Sequence, residues 1–488
     1  MYHLKKFLFS LFILLSTTSG AQISGQVKDF EIFRKGLFSV ESKLDRHISL
    51  DSINSFLAFM KTSLSEKELS PVEQYKLYAR CINLIQSGHT QVIPTKPVLK
   101  YYVRQAKALP FDMVIVNKHL YLKAYPKNSD LPEPLKREDK IPVGSEITAI
   151  DGKSLSDWMK LIGEFIGSDE NEPVFEYTIA AQAFDFFRFI ATTEQKSQLK
   201  IDYIVKNDTL SKTVQLGFPP VKVLFERLKK LSEQQEEDRE SIGTFKQIGS
   251  DAGYFRFTSF ANCTGKDYSE FLQKSFKKIR SKKLQTVVID VRGNGGGIIQ
   301  TELLSYFMAE PQVAGNYQIV RRPKWKERRH LEKLSQEFRR HRKNVRIYKK
   351  IERRNPDFKG DVMTYRIDNN LLFKGKVIVL TDEGSFSASS LLASQLKELR
   401  GAQIMGSRAG GTYYAFNAGT LKLELPHSKI QVILNPNTGV STLSGKPIDP
   451  NVKNVDVEIV PEYSPKASVY KKNWESVINI AIAKSKEI

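Results

Sequence analysis

Two short apolar segments, each followed by small residues and then by a helical pattern, constrain the fold of this chain more than any other feature. The first spans residues 286–297 (TVVIDVRGNGGG) and the second spans residues 377–390 (VIVLTDEGSFSASS). A strand that is apolar at nearly every position is buried on both faces, as in parallel sheets that are covered by helices. The two segments therefore predict an α/β core with parallel strand pairing.

The rest of the C-terminal half follows the same alternation of strands and helices. Its composition, with 41% hydrophobic and 26% charged residues, is that of an ordinary globular protein. The further elements predicted are a strand at 253–257, helices at 268–279, 298–307 and 388–399, a strand at 403–405, a hairpin of 421–425 with 430–434, and a final helix at 474–483.

The N-terminal half is predicted to be helical first and β-rich afterwards. Apolar positions three and four residues apart predict helices between residues 28 and 88, one starting at Ser70-Pro71 and the last ending near Gly88. The β-rich region 97–217 contains residues 141–153 (IPVGSEITAIDGK), which resemble a segment of PDZ domains. This resemblance implies a PDZ-like fold for the region.

The first residues have the pattern of a secretory signal. Lys5 and Lys6 precede an apolar run over 7–15, and small residues follow at 19–21. The alternative is a buried N-terminal helix. The pattern favours export to the periplasm or the medium, with cleavage near Ala21, and no later segment is long and apolar enough to suggest a membrane helix.

The positive charge of the chain is concentrated in one segment. The net charge is +21, and residues 321–354 alone carry 16 Lys/Arg against 4 Asp/Glu. Export argues against nucleic acid as a partner, so peripheral contact with an anionic envelope surface is one prediction for this segment. A solvated helical insertion without a partner is the alternative.

Cysteine and histidine spacings predict neither a metal site nor a cofactor. The chain has two cysteines, Cys81 and Cys263, which could pair in an oxidising compartment, although the sequence does not show that they meet. It contains no CxxC pair and no HExxH motif, the usual spacings of zinc ligands.

Ser387 lies where an apolar strand ends and a helix begins. Unpaired backbone N–H groups at a helix N-terminus can stabilise the oxyanion that forms when serine attacks a carbonyl. The alternative for this serine and its neighbours is simple helix capping. The glycines at 293–297 permit a sharp turn and a close approach of backbone to substrate. A phosphate-binding loop is the rival interpretation, but Ile298 replaces the last glycine of the dinucleotide pattern and no GK[ST] follows.

Together the two segments resemble the motifs of the tail-specific protease family (peptidase family S41), which includes C-terminal processing proteases and tricorn. Residues 287–297 are similar to its strand-to-glycine motif, and residues 384–390 (GSFSASS) are similar to its nucleophile motif GSASASE. The resemblance implies that Ser387 is the nucleophile. It also implies oxyanion donors at the amide of Ala388 and at that of Gly295 or Gly296.

The resemblance further implies the family's domain organisation, a ClpP/crotonase-like β/α spiral core preceded by two smaller domains. The predicted divisions are a signal peptide at 1–21, an N-terminal helical domain at 22–96, a PDZ-like domain at 97–217, a charged linker at 218–248, a protease core at 249–464 with a basic insertion at 321–358, and a C-terminal helix at 465–488.

The base is expected to be a histidine. Many family members use a lysine, but Thr412 stands at that position. A tricorn-like branch uses a histidine from the N-terminal side, and His89 in residues 87–90 (SGHT) is similar to its GHT form. Imidazole titrates near neutrality, and a nucleophilic serine needs a proton acceptor, which favours His89 over a merely structural role for this residue.

Two positions depart from the family pattern. Ser390 and Ser444 stand where the resemblance leads one to expect glutamates, and the sequence identifies no group that orients His89. The predicted function is an exported serine peptidase that hydrolyses polypeptides by acyl transfer without a cofactor. The alternative is a catalytically inactive relative that binds peptide or lipid in the same cleft.

Overall fold

The computed structural model describes most of the chain between residues 23 and 487. The described residues are 23–41, 44–45, 47–105, 107–116, 118–127, 140–169, 174–192, 198–205, 208–219, 221–298, 300–308, 316–320, 369–411, 415–418, 420–443, 446–447, 455–459 and 474–487. The predicted signal peptide, the basic segment 321–354, Thr412 and Ser444 lie outside them. The predictions for these residues stay predictions.

Helices and strands alternate along the described residues. The helices are α1 (23–40), α2 (Leu50–Glu66), α3 (Pro71–Asn83), α4 (Lys96–Gln105), α5 (Leu155–Ile162), α6 (Val174–Thr192), α7 (Val221–Glu240), α8 (Gly265–Ser281), α9 (Thr301–Ser305), α10 (Ala388–Arg400) and α11 (Trp474–Glu487). The strands are β1 (Gln91–Ile93), β2 (Asp112–Val116), β3 (His119–Ala124), β4 (Glu146–Ile150), β5 (Gln198–Ile204), β6 (Ser211–Gly217), β7 (Thr244–Ile248), β8 (Ala252–Arg256), β9 (Thr286–Asp290), β10 (Asn316–Val320), β11 (Lys376–Thr381), β12 (Gln403–Gly406), β13 (Ala415–Ala418), β14 (Leu421–Glu424), β15 (Gln431–Leu434), β16 (Asn437–Leu443), β17 (Lys446–Pro447) and β18 (Val457–Glu458).

The central sheet confirms the predicted α/β core. Its six strands lie in the order β18-β12-β11-β9-β8-β7, and every neighbouring pair except β7–β8 is parallel. One face packs on α8, α9 and α10, while the other packs on α11. Burial on both faces explains why β9 and β11 are apolar, and their register, with Leu380 opposite Asp290, brings their carboxyl ends together.

A second unit is built on a five-stranded antiparallel sheet in the order β2-β3-β4-β5-β6. Its apolar face packs with α4, α5 and α6 into one core. Ser154 caps α5 through a capping box with Asp157, which accounts for the helix predicted from Leu155. Leu109 and Phe111, near the loop that binds carboxylates in PDZ domains, are fully buried here. The PDZ-like assignment of this region stays a prediction.

The N-terminal helices share their core with a hairpin from the C-terminal third of the chain. Strand β1 pairs antiparallel with β15, with Val92 opposite Val432, and β14 completes the sheet. The inner residues of this hairpin pack with α1, α2 and α3. The hairpin at 421–434 therefore belongs to the N-terminal layer, although its position in the sequence suggested the core at 249–464.

Other details differ from the sequence-based expectations. The helix expected at 298–307 is only the short α9, because the amide of Ile298 is engaged with the carbonyl of Phe260 at 2.9 Å. The charged segment at 218–248, interpreted from its sequence as a linker or an exposed helix, contains the helix α7. It then contains β7, which was not predicted and which forms an edge of the central sheet, because its residues pair with β8.

The two cysteines are buried as free thiols in different cores, Cys81 under the N-terminal helices and Cys263 beside the central sheet. The pairing considered from the sequence is therefore absent. No helix within the described ranges is long and apolar enough to cross a bilayer.

Candidate active site

Two turns meet at the carboxyl edge of the central sheet. The glycine-rich turn follows β9, and the turn that carries Ser387 follows β11. The amide of Phe386 donates to the carbonyl of Asn294 at 3.0 Å, and the Ser385 hydroxyl donates to the carbonyl of Val291 at 2.8 Å. These hydrogen bonds fix the two turns against each other, since both partners in each are buried.

Ser387 occupies a strained backbone position. Its φ of 57° and ψ of −118° are rare for a residue with a side chain, and its hydroxyl makes no capping hydrogen bond to α10. Such a conformation costs on the order of 1–3 kcal/mol and persists where the surroundings overdetermine it. Here the surroundings include the bonds to the glycine turn and the amide of Gly410, which donates to the carbonyl of Ser385 at 2.9 Å. The capping interpretation of Ser387 is wrong, because its side chain is left for another partner.

A concave backbone surface lies beside Ser387. A Cβ atom on Gly296, whose φ is 98°, would lie 2.7 Å from Cβ of Ser387 and 3.0 Å from the amide nitrogen of Ala388. The amide of Gly296 itself donates to Asn294 Oδ1 at 2.9 Å. Among the described residues, the amides of Ala388 and Gly295 have no acceptor. The amides of Ala388, beside the serine, and of Gly295, in the glycine turn, are thus available as donors.

Two buried carboxylates, those of Asp290 and Asp382, accept hydrogen bonds from residues of the two turns. Asp290 accepts from the Tyr254 hydroxyl at 2.8 Å and from the Arg292 guanidinium at 2.7 Å. Burial opposes ionisation of Asp290, but Arg292 and Arg256 prevail and lower its pKa to about 2. Asp382 Oδ1 accepts from the amides of Gly293 at 2.6 Å and Gly384 at 3.0 Å. Both carboxylates are engaged in positioning the backbone, so neither is free to act as the base.

The structure brings His89 to Ser387, although 298 positions separate them in the chain. His89 Nε2 lies 2.9 Å from Ser387 Oγ. This is within the range expected for a serine and its general base. The two side chains that the sequence predicted as nucleophile and base therefore lie within hydrogen-bond reach of each other.

The environment keeps the imidazole neutral and in place. Burial lowers the pKa of His89, and the negative charge of Asp169 acts in the opposite direction. The Phe386 ring lies against the imidazole with a centroid distance of 4.7 Å. A neutral ring at neutral pH has a free lone pair on one nitrogen, which a general base needs.

The loop of His89 is anchored by residues on both sides. The Thr90 hydroxyl donates to Glu41 Oε1 at 2.9 Å and accepts from Asn435 Nδ2 at 2.8 Å. All three residues are buried. This network joins α1, the start of β1 and the end of β15, so the hairpin from the C-terminal third helps to hold the loop of His89.

Sequence reasoning did not identify two residues that contact the base loop. Phe386 occupies a position where the family motif has alanine, and that departure was a usable signal. Asp169, whose carboxylate accepts from the Gly88 amide at 2.7 Å, stands in no motif. Ser390, at a position where the family often has glutamate, donates from a buried hydroxyl to the carbonyl of Ser385 at 2.9 Å. In the part of the chain that the structure covers, no group of three or more His, Cys, Asp or Glu is placed to hold a metal ion.

Comparison with solved structures identifies the fold. The crystal structure of mature CPAF matches with a TM-score of 0.57 at 13% identity, over 96% of this chain and 98% of that one. The structure of mature CPAF complexed with lactacystin matches equally, with a TM-score of 0.57 at 13% identity, over 96% of this chain and 99% of that one. These likenesses extend over nearly the whole length, which supports a common architecture.

Comparison at the level of sequence finds a family match for residues 251–452. The family model of peptidase family S41 matches residues 251–452, which include both turns. The carboxy-terminal processing protease CtpB of Bacillus subtilis (strain 168) is 28% identical over 185 residues, which are 37% of this chain and 28% of that protein. The match thus spans less than a third of that relative. Residues 251–452, which carry both motifs, thus match peptidase family S41, and the chain shares the architecture of mature CPAF.

Proposed function

We propose that this protein is a serine peptidase that hydrolyses polypeptides by acyl transfer, with Ser387 as nucleophile and His89 as general base. The observation that carries the proposal is the 2.9 Å separation of His89 Nε2 and Ser387 Oγ. A hydroxyl, a neutral imidazole and convergent N–H groups are the three components that acyl transfer requires.

In the acylation step, Ser387 Oγ attacks the scissile carbonyl while its proton moves to His89 Nε2. The developing oxyanion accepts hydrogen bonds from the amides of Ala388 and Gly295, and Gly296 leaves the space for it to approach. The imidazolium then gives its proton to the leaving amine, which breaks the peptide bond. In the second half, His89 takes a proton from water and the hydroxide equivalent attacks the acyl-enzyme. The ester bond to Ser387 Oγ then breaks, and the imidazolium returns its proton to that oxygen, which restores the serine and the neutral histidine.

A fluorophosphonate probe and a peptide substrate test this proposal together. The wild type is expected to be labelled and to hydrolyse unfolded polypeptide, whereas Ser387→Ala is expected to do neither at an unchanged melting temperature. Ser389→Ala is the matched control, because this neighbouring buried hydroxyl has no hydrogen-bond partner in the described structure. A wild type that is neither labelled nor active would instead support the inactive relative that only binds peptide or lipid.

We also propose that the protein is exported. The basic residues Lys5 and Lys6, the apolar run over 7–15 and the small residues at 19–21 support this proposal. Expression of the full chain in a bacterium, fractionation and intact-mass measurement test it. A mature protein that starts near residue 22 outside the cytoplasm is expected, and an uncleaved chain in the cytoplasm would refute export.

A further inference from the structure

The second ring nitrogen of His89 lacks the orienting partner that the base of a serine hydrolase usually has. His89 Nδ1 is buried, and the described structure offers it no hydrogen-bond partner. In a serine hydrolase the base is usually oriented by a third group, which also stabilises the imidazolium. Both buried carboxylates beneath the turns are engaged with backbone and arginine, so the third group must come from another part of the molecule.

A segment of the second unit touches the base loop on both sides of the histidine. A Cβ atom on Gly167 would lie 2.8 Å from the carbonyl oxygen of Thr90 and 2.9 Å from that of Ser87. Two residues later, Asp169 Oδ1 accepts the Gly88 amide at 2.7 Å. Asp169 is only 8% exposed, so its carboxylate acts on the loop with little screening by water.

Asp169 is also the charge that acts on the imidazole. Its field raises the pKa of His89 against the effect of burial. Two other carboxylates reach neighbouring residues: Glu41 accepts from the Thr90 hydroxyl, and Glu176 accepts from the Ser168 hydroxyl. Neither of these two carboxylates is among the charges that shift the pKa of His89, whereas Asp169 is.

We infer that Asp169 is the positioning residue of the base: it holds the Gly88–His89 backbone through Oδ1, and its charge stabilises the imidazolium that forms when His89 accepts the Ser387 proton. The proton remains on His89 until the leaving amine takes it. This inference rests on the proposed function. It places this positioning residue on the second unit, separate from the protease core. The site is therefore complete only where the central sheet, the loop of His89 and the second unit meet.

Two substitutions separate the charge of Asp169 from its hydrogen bond. Asp169→Asn retains an acceptor for the Gly88 amide but removes the charge, and Asp169→Ala removes both. We expect kcat of Asp169→Asn to fall about ten- to a hundred-fold, because a nearby charge that stabilises the imidazolium in a buried site is lost. We also expect the acidic limb of the kcat/KM profile to move to lower pH, because His89 then protonates less readily. A purely structural role for Asp169 would leave the position of this limb unchanged.

Glu164→Gln is the matched control. Glu164 joins the same two parts of the chain through Arg80, at 2.8 Å, but half of its side chain is exposed, and it does not touch the base loop. It is expected to leave both kcat and the pH profile unchanged, because exposed ion pairs contribute little.

A second measurement does not depend on turnover. In the Ser387→Ala background, the imidazole proton of His89 is followed by NMR as a function of pH, with and without Asp169→Asn. A lower titration midpoint in the double variant is expected. If the wild type is labelled by fluorophosphonate but Asp169→Asn shows neither a shifted limb nor a shifted midpoint, this inference is wrong and the proposed function stands. If the wild type is not labelled, the proposed function itself fails.

Discussion

The two halves of the candidate site are held in different ways. The nucleophile turn is fixed by its neighbours in one sheet, through short hydrogen bonds to the adjacent glycine turn. The base loop has no such sheet around it and depends on α1, the end of β15 and the Ile166–Asp169 segment. The nucleophile side is therefore local in origin, whereas the base side is assembled from distant segments.

This difference has an energetic consequence. A strained residue such as Ser387 needs surroundings that do not relax, and two parallel strands buried on both faces supply them. The histidine loop needs only to reach the serine, and a few specific contacts are enough for that. Substitutions on the nucleophile side should thus act through the loss of chemistry, and those on the base side through displacement of the imidazole.

The largest loss of kcat is expected when one reacting group is removed from either side of the site. Ser387→Ala and His89→Ala should each lower kcat by a factor on the order of 10⁴ or more, and the double variant should be no worse than the poorer single one, because the two act as a unit. Peptide turnover of the three variants measures this. Losses that multiply in the double variant would show that the two groups act independently.

On the nucleophile side, Gly296→Ala should lower kcat by about 10²–10³, the usual effect of losing one oxyanion donor. The new methyl group would collide with Ser387 Cβ and lie over the Ala388 amide, at a φ that disfavours alanine. Steady-state kinetics with a melting curve tests this. Wild-type kcat in a folded Gly296→Ala protein would mean that the space beside the serine does not hold the oxyanion.

On the base side, Gly88→Ala should lower kcat about ten- to a hundred-fold by pushing His89 away from the serine. Its Cβ would lie 2.7 Å from the Phe386 ring, whereas its backbone can accept alanine without strain. The double variant Gly88→Ala/Phe386→Leu removes the collision and should recover part of the rate. No recovery would show that Phe386 is not what makes glycine necessary at position 88.

The smallest effect expected is a change in the free energy of unfolding at Glu176, which accepts a hydrogen bond from Ser168, the neighbour of Asp169. Burial raises the pKa of Glu176 to about 7, well above the usual value for a glutamate, so folding favours the neutral carboxyl. Its stabilising contribution is fully present below pH 4.5 and is lost as the pH rises through 7. Glu176→Gln should therefore be more stable than the wild type at pH 8, by on the order of 1–3 kcal/mol, and the difference should shrink at pH 5. Thermal melts at the two pH values measure this, and an equal or lower stability at pH 8 would contradict it.

Much of the nucleophile side could be predicted from the sequence, because its causes are local. The apolar run of β11, the small residues after it and the helix at Ala388 lie in one segment of the chain. The base was also predicted, but only through a resemblance, since a histidine near a helix end has many ordinary roles. Asp169 could not be predicted, because its function arises from a contact with Gly88 across 81 positions and has no local pattern.

The hairpin at 421–434 was misplaced for the same reason. Alternation of apolar residues shows that a strand has one buried face, but it does not say which other part of the chain covers that face. Here the cover is the layer of N-terminal helices, and β1 is the strand that pairs with β15. A local sequence pattern does not identify packing partners at large sequence separation.

The pairing of β1 with β15 also sets the point in synthesis at which the loop of His89 gains its supporting strand. A ribosome makes His89 early, but the strand beside it has no partner until Leu434 has been added. At about 5–20 residues per second this delay lasts roughly 20–70 s. A nascent or truncated chain that stops before Leu434 therefore carries His89 without its supporting strand, and the candidate site can be completed only after β15 has been made.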